Sequence, residues 1–223
     1  MILRSILTAG ALALAGAASA QEASVEFNLF SYEGAYRAQD FHFDARYTER
    51  FGIEVPVPFS VSVPERGDVA LIADGQPDGG AFVKFTFATD TEPRQFLENI
   101  QVVTVSIPMA EEAEEPLRTR VAIAAQVLQE RLYPRAVEGF EEPRMLAVEQ
   151  IDFGDVTGVH LIATYTDPAI GPMLLRLTAM LHPDQPESYV TISNINLDLV
   201  PVEDGDTLAA TLTGRLLDSW VYP

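Results

Sequence analysis

Four strand-like runs that follow one another in the second half of the chain constrain the fold more than any other feature. They cover residues 145–153, 156–165, 173–182 and 189–199. The breaks between them are short and consist largely of Gly, Asp and Pro. Connections this short leave no room for a crossover helix, so consecutive runs must pair antiparallel. The sequence therefore predicts an antiparallel meander.

Two segments have the spacing of amphipathic helices. The first begins near Pro116, which suits the first helical position, and its apolar stripe comprises Leu117, Val121, Ala124, Leu128 and Leu132. The second covers residues 207–219, with Asp206 as the predicted N-cap. Its apolar stripe comprises Leu208, Leu212, Leu216 and Trp220.

The first half of the chain adds further strands. Residues 68–73 and 81–88 flank a run of turn formers, which predicts a β-hairpin. Residues 53–63 alternate in hydropathy, but Pro56 and Pro58 confine them to an edge or entry strand. Residues 93–99 are predicted to form one or two helical turns, and 101–107 another strand. Strands, helix, strands and helix in this order indicate an α+β fold, an antiparallel β-sheet covered by helices.

A family resemblance is carried by four segments of the second half. They are GVHLIATY (158–165), LLRLTAM (174–180), YVTI (189–192) and LLDSW (216–220). In sequence and order they resemble the β-β-β-α ending of the PsbP-type photosystem extrinsic proteins and their exported bacterial relatives. The resemblance implies an α/β/α sandwich and an accessory or assembly role, often non-catalytic. It transfers no site residue to this chain.

Residues 1–20 have the features of a cleaved export signal. Arg4 is the only charge before a mostly apolar run at 5–17, and residues 18–20, Ala-Ser-Ala, suit a signal peptidase. The apolar run is shorter than the roughly 20 residues that span a bilayer. The chain has no cysteine, which excludes a lipid-attachment cysteine and a disulfide framework. The sequence predicts a single domain over residues 21–223, periplasmic or secreted, without membrane insertion.

The charge balance limits the classes of partner. The chain has 33 acidic and 14 basic residues, for a formal net charge of -19. Such a surface repels phosphate backbones and anionic lipids, which disfavours nucleic-acid and membrane-surface roles. It favours cationic partners, either a basic protein or a divalent metal ion; the alternative is that the acidic surface only keeps an exported protein soluble.

The sequence contains no established catalytic or cofactor-binding motif. A nucleophile elbow, a zinc-protease motif, a phosphate loop and a cysteine nucleophile are all absent, so no cofactor and no catalytic residue are predicted. His42, His160 and His182 are far apart along the chain. They could meet only in the folded protein, which leaves a hydrolase with a dispersed site as an alternative.

Aromatic residues concentrate between residues 27 and 51. Eight lie there, out of 12 Phe, 7 Tyr and 1 Trp in the chain: Phe27, Phe30, Tyr32, Tyr36, Phe41, Phe43, Tyr47 and Phe51. Residues 36–51 have helical spacing with Gly52 as a plausible C-cap, whereas 41–44 alternate like a strand. The segment is interpreted either as core packed on the sheet or as an exposed surface that holds a partner or small ligand. The predicted binding residues are Tyr32, Tyr36, Arg37, Phe41, His42, Asp44 and Tyr47.

Two clusters of acidic residues could bind calcium, which takes six to eight oxygen ligands. Asp74 and Asp78 share a glycine-rich loop, and Glu203, Asp204 and Asp206 surround Gly205. Turn formation explains the first group equally, and helix capping the second. The leading hypothesis is an exported, non-catalytic binding or accessory module; the alternatives are the hydrolase and a calcium-stabilised protein.

Overall fold

The computed structural model describes residues 27–32, 34–75 and 81–223. The predicted export signal and Asp78 lie outside these residues. The elements in chain order are β1 (Arg37–Phe43), α1 (Ala45–Phe51), β2 (Phe59–Glu65), β3 (Val69–Gly75), β4 (Val83–Thr89), β5 (Phe96–Ser106), α2 (Pro116–Val127), α3 (Tyr133–Ala136), β6 (Glu141–Phe153), β7 (Val156–Asp167), β8 (Gly171–Met180), β9 (Glu187–Asn196), α4 (Gly205–Ala210) and α5 (Leu212–Asp218).

Seven strands form one antiparallel sheet in the order β3-β4-β5-β9-β8-β7-β6. Strands β6 to β9 pair in succession, which confirms the predicted meander. Strands β3 and β4 pair as predicted for the hairpin, with Val69 opposite Thr89 and Gly75 opposite Val83. Strands β1 and β2 form a separate two-stranded sheet.

Helices cover both faces of the large sheet. On one face lie α2 and the π-helical turn Leu128–Leu132, with Ala124 and Leu128 buried in the apolar layer. The other face is covered by α4, α5 and the two-stranded sheet, where Phe59 stacks on Trp220 with 4.3 Å between ring centroids. The predicted fold class, an antiparallel sheet covered by helices, is confirmed.

The predicted apolar stripe of the first helix is partly wrong. Leu117 is 51% exposed, whereas Arg120 is buried. The Arg120 guanidinium donates to the carbonyl oxygens of His182 at 2.8 Å and Gln185 at 3.0 Å. A charged side chain whose two Nη atoms are paired in this way can occupy a buried helix position, although its Nε has no partner among the described residues, and apolar periodicity does not reveal it.

The predicted last helix is in fact two helices. The N-cap of α4 is Asp204 rather than Asp206, because the Asp204 carboxylate accepts from the Thr207 amide at 2.8 Å. A second helix starts at Leu212, where the Thr211 hydroxyl accepts from the Gly214 amide at 2.9 Å. The predicted buried residues are confirmed: Leu208, Leu212, Leu216 and Trp220.

Residues 93–99 do not form the predicted helical turns. Strand β5 begins at Phe96 and pairs with β9, placing Glu98 opposite Ile195. This pairing joins residues about a hundred positions apart, so local composition did not report it. Strand β2 begins at Phe59, directly after Pro58, so both prolines of the predicted strand precede it.

The aromatic segment combines a strand and a helix. Residues 37–43 pair with β2, so the helical spacing predicted from Tyr36 onward is wrong for this part. Helix α1 follows, with Asp44 as N-cap. Gly52 ends it in the left-handed region, at φ +68°, with its amide donating to the Thr48 carbonyl, as expected of a glycine C-cap.

Candidate functional site

A cleft of about 840 Å³ lies between β1, α1 and the end of β3. Four of the predicted binding residues line it: Phe41, His42, Asp44 and Tyr47. Asp74, a predicted calcium ligand, lines it from β3. The structure thus brings together residues about thirty positions apart, which the sequence had assigned to two different sites.

The apolar wall of the cleft consists of aromatic rings that continue into the core. Phe43 is buried and stacks on Phe59 with 4.5 Å between centroids. The Tyr47 ring lies 4.8 Å from that of Phe43 and 4.7 Å from that of Phe51, which is 53% exposed. Both predicted roles, core packing and exposed surface, therefore occur in this segment. The core holds the rings in place from behind, so the wall of the cleft is preformed.

Two carboxylates at the cleft already have partners within the chain. Asp44 accepts from the amides of Arg46 at 2.8 Å and Tyr47 at 3.2 Å, which satisfies the start of α1. Asp40 accepts from the Ser62 hydroxyl at 2.6 Å. Their negative charge is therefore partly compensated by protein donors.

Two arginines of α1 also line the cleft, and both are exposed. Arg46 and Arg50 form no ion pair with any residue that the structure describes. The Arg50 guanidinium carbon lies 5.0 Å from the centroid of the Phe51 ring, within the range of a cation–π contact. The Tyr47 hydroxyl can donate a hydrogen bond at neutral pH, and burial raises the pKa of Tyr47 further above its ordinary value. The cleft therefore offers donors and positive charge beside an apolar wall.

Three predicted binding residues lie outside this cleft. Tyr32 and Tyr36 surround the Arg66 guanidinium, whose central carbon is 4.2 Å and 5.5 Å from their ring centroids. Arg66 is buried and donates to Asp68 from Nε at 2.9 Å and Nη2 at 2.6 Å. These contacts hold the segment before β1 against the residues that connect β2 and β3. Both tyrosines therefore have a structural role. Arg37 begins β1 and is exposed.

The histidines do not assemble with a nucleophile. His42 lines the cleft, His160 Nε2 lies 3.0 Å from Glu149 Oε1, and His182 Nδ1 accepts from the Asp184 amide at 3.1 Å. Within the described ranges, no histidine ring is hydrogen-bonded to a Ser or Thr hydroxyl. A hydrolytic triad needs that bond. The hydrolase alternative therefore gains no support beyond the presence of His42 in a cleft that three aspartates also line.

The calcium candidates stay a prediction that the geometry does not favour. In the described part of the chain, no three His, Asp or Glu side chains lie close enough to hold a metal ion. Asp204 forms a capping box with Thr207, and these hydrogen bonds lower the pKa of Asp204. Glu203 and Asp206 are exposed beside this cap.

Sequence reasoning missed Glu98, a fully buried carboxylate. It accepts from the Leu212 amide at 3.0 Å and from the Thr213 amide and hydroxyl, both at 2.8 Å. Burial raises the pKa of Glu98, against the lowering effect of these donors. The sequence held little signal for this role: Glu98 stands between Leu97 and Asn99 in a segment predicted as helical turns, and the α5 amides that it caps lie over a hundred residues away.

Fold and site together define an α+β protein with a preformed aromatic surface cleft. Among the described helices, none combines the length and the hydrophobicity needed to cross a membrane. No protein-family model and no curated protein matches the chain.

Three solved structures illustrate what the chain resembles. Cyanobacterial PsbP (CyanoP) from Synechocystis sp. PCC 6803 is 12% identical, with 86% of this chain and 95% of that chain covered, at a TM-score of 0.46. The Ran-binding protein Mog1p of Saccharomyces cerevisiae is 10% identical, with 83% of this chain and 96% of that chain covered, at a TM-score of 0.41. LpqN of Mycobacterium tuberculosis, involved in cell envelope biogenesis, is 10% identical, with 82% of this chain and 88% of that chain covered, at a TM-score of 0.41. A PsbP-type protein is thus among the solved structures that the chain resembles, as the sequence predicted, and no functional conclusion follows from likenesses at these TM-scores.

Proposed function

We propose that this chain is an exported, non-catalytic binding or accessory protein that holds its ligand or partner in the cleft between β1, α1 and β3. The observation that carries the proposal is the series of aromatic rings that runs from the buried Phe43 through Tyr47 to the exposed Phe51. Rings anchored in a core but open on one side provide apolar contact area at little cost in conformational entropy.

The cleft also has the dimensions of a binding site. Its volume of about 840 Å³ falls within the range of roughly 300–1,000 Å³ that is usual for small-molecule sites. Polar groups from α1 and β1 stand beside the rings and can fix the orientation of a bound molecule. The non-catalytic role rests on the lack of a hydrogen-bonded nucleophile and base in the part of the chain that the structure describes. Export rests on the sequence of residues 1–20.

Binding in the cleft can be tested by titrating pools of small molecules and short peptides into the isotope-labelled protein and recording amide spectra. We expect at least one pool to shift the amides of Phe41, Tyr47 and Phe51. Phe51→Ala should weaken that binding. Leu117→Ala is the matched control, because Leu117 is equally exposed, at 51% against 53%, but lies on α2. Shifts confined to other regions, or binding unchanged in Phe51→Ala, would contradict the proposal.

A further inference from the structure

We infer, on the basis of the proposed binding role of this cleft, that the cleft selects amphipathic anions, molecules with an apolar or aromatic body that ends in a carboxylate. The rings hold the body, and the guanidinium groups of Arg46 and Arg50 hold the acidic group.

The first argument is the absence of ion pairs at these two arginines. Among the described arginines only Arg66 and Arg118 form ion pairs, so what distinguishes Arg46 and Arg50 is that they are unpaired and also line the cleft. Arg46 and Arg50 make no such pair within the described residues, although Glu49 lies between them on α1. Like charges four residues apart on a helix repel each other. A bound anion would relieve this repulsion.

The second argument concerns the carboxylates that line the same cleft. Asp44 is engaged by the amides at the start of α1, and Asp40 by the Ser62 hydroxyl. Asp74 stands opposite Lys84 in the pairing of β3 with β4, so a cation is its cross-strand neighbour. Each acidic group thus has a donor or a cation of the protein beside it, whereas the two arginines have no carboxylate partner.

The third argument is the geometry of Arg50. Its guanidinium carbon lies 5.0 Å from the Phe51 ring centroid, a distance at which the ring attracts the cation. A guanidinium held against a ring still presents N–H groups along its edge, where a carboxylate binds with two parallel hydrogen bonds. The ring that attracts the cation also contacts the apolar body of the ligand.

The net charge of -19 does not oppose this selectivity at short range. Exposed charges are screened beyond about 8 Å at physiological ionic strength. Charges that lie within the cleft therefore decide the affinity, and the remainder of the acidic surface affects mainly the rate of approach.

The test uses three probes with the same body: 2-naphthoate, 2-naphthalenemethanol and 2-naphthylmethylammonium. Their binding to residues 21–223 is measured by calorimetry and by amide spectra. We expect 2-naphthoate to bind tightest and to shift the amides of Tyr47 and Phe51. In the double variant Arg46→Gln/Arg50→Gln its affinity should fall by about tenfold or more, the loss typical of charge-assisted hydrogen bonds.

Arg131→Gln/Arg135→Gln is the matched control. It removes two exposed arginines with the same spacing from the helical segment on the other face of the sheet, so it changes the net charge equally. Affinity for 2-naphthoate should change less than about twofold in this control, since screening weakens distant charges. A thermal melt of each variant establishes that it is folded. If the double variant is not, Arg46→Gln and Arg50→Gln are measured singly.

Several outcomes would overturn the inference. They are equal or tighter binding of the alcohol or the ammonium probe, an unchanged affinity in the double variant, and no binding of any probe. If the neutral or cationic probe binds as tightly as 2-naphthoate or more tightly and shifts the cleft amides, the inference fails while the proposed binding function stands. If neither the probes nor the pools shift those amides, both fail.

Discussion

Single side chains in this protein are fixed by partners far away in sequence. Glu98 on β5 receives three hydrogen bonds from Leu212 and Thr213, at the start of α5. Arg66 is held between Tyr32, Tyr36 and Asp68. Each buried charge satisfies donors or acceptors that would otherwise be left without partners. Its removal should therefore lower the free energy of unfolding.

Glu98→Ala should lower the free energy of unfolding by at least about 2 kcal/mol, because it leaves three buried donors without an acceptor. Glu98→Gln should cost less, since its amide oxygen can still accept from one of them. Urea denaturation at pH 7 measures both, and Glu138→Gln is the control, because Glu138 is exposed. A loss in Glu98→Ala no larger than in the Glu138 control would show that the cap contributes little.

A second residue-scale prediction concerns acid stability. A histidine in the unfolded chain has a pKa of about 6.5. Burial lowers the pKa of His160 below this value in the folded protein, although the hydrogen bond to Glu149 acts in the opposite direction. Below that value the unfolded state binds the proton more readily than the native state, so stability falls as the pH drops. The wild-type protein should therefore lose stability between pH 7.5 and pH 5.5, and His160→Gln should lose less over the same interval.

Unfolding midpoints in urea at the two pH values measure this difference. His182, whose pKa burial also lowers, remains in the variant, so part of the acid sensitivity should persist. An identical loss in wild type and variant would exclude His160 as a contributor.

The clearest case at the level of elements is the break between α4 and α5. The Thr211 hydroxyl accepts from the Gly214 amide at 2.9 Å and donates to the Leu208 carbonyl at 2.7 Å. It thereby ends one helix and starts the next. The apolar spacing runs through both helices without interruption, which is why the sequence alone predicted a single helix.

Thr211→Ala should lower the free energy of unfolding by about 1–2 kcal/mol, the usual loss for an N-cap. Thr211→Ser keeps the hydroxyl and should lose less. Denaturant unfolding of the two variants against wild type measures this. Equal losses in the alanine and serine variants would attribute the effect to the methyl group instead of the cap.

The described part of the molecule is built on one seven-stranded antiparallel sheet with an apolar layer on each face. The cleft forms at the edge, where the two-stranded sheet and α1 meet the end of β3. A site at a junction of separate elements depends on the correct packing of all of them. The proposed export also concerns the whole molecule, because it decides in which compartment the chain folds.

Native protein recovered from the periplasmic fraction should begin at Gln21, because small residues at 18–20 suit the peptidase. Intact-mass spectrometry measures the terminus. Ala20→Phe places a bulky side chain at the cleavage position and should leave the signal attached. A wild-type product that retains Met1 would refute the export signal.

The sequence by itself determined the features that depend on neighbours along the chain. Short Gly, Asp and Pro breaks specified the meander of β6 to β9, and Gly52 specified the end of α1, because turns and caps are local. Tertiary structure alone decided that residues 93–99 extend into β5, that Tyr32 and Tyr36 pack around Arg66, and that Asp74 joins His42 at one cleft. These outcomes depend on contacts between distant segments, whose free energy outweighs local preference and leaves no mark on the local pattern.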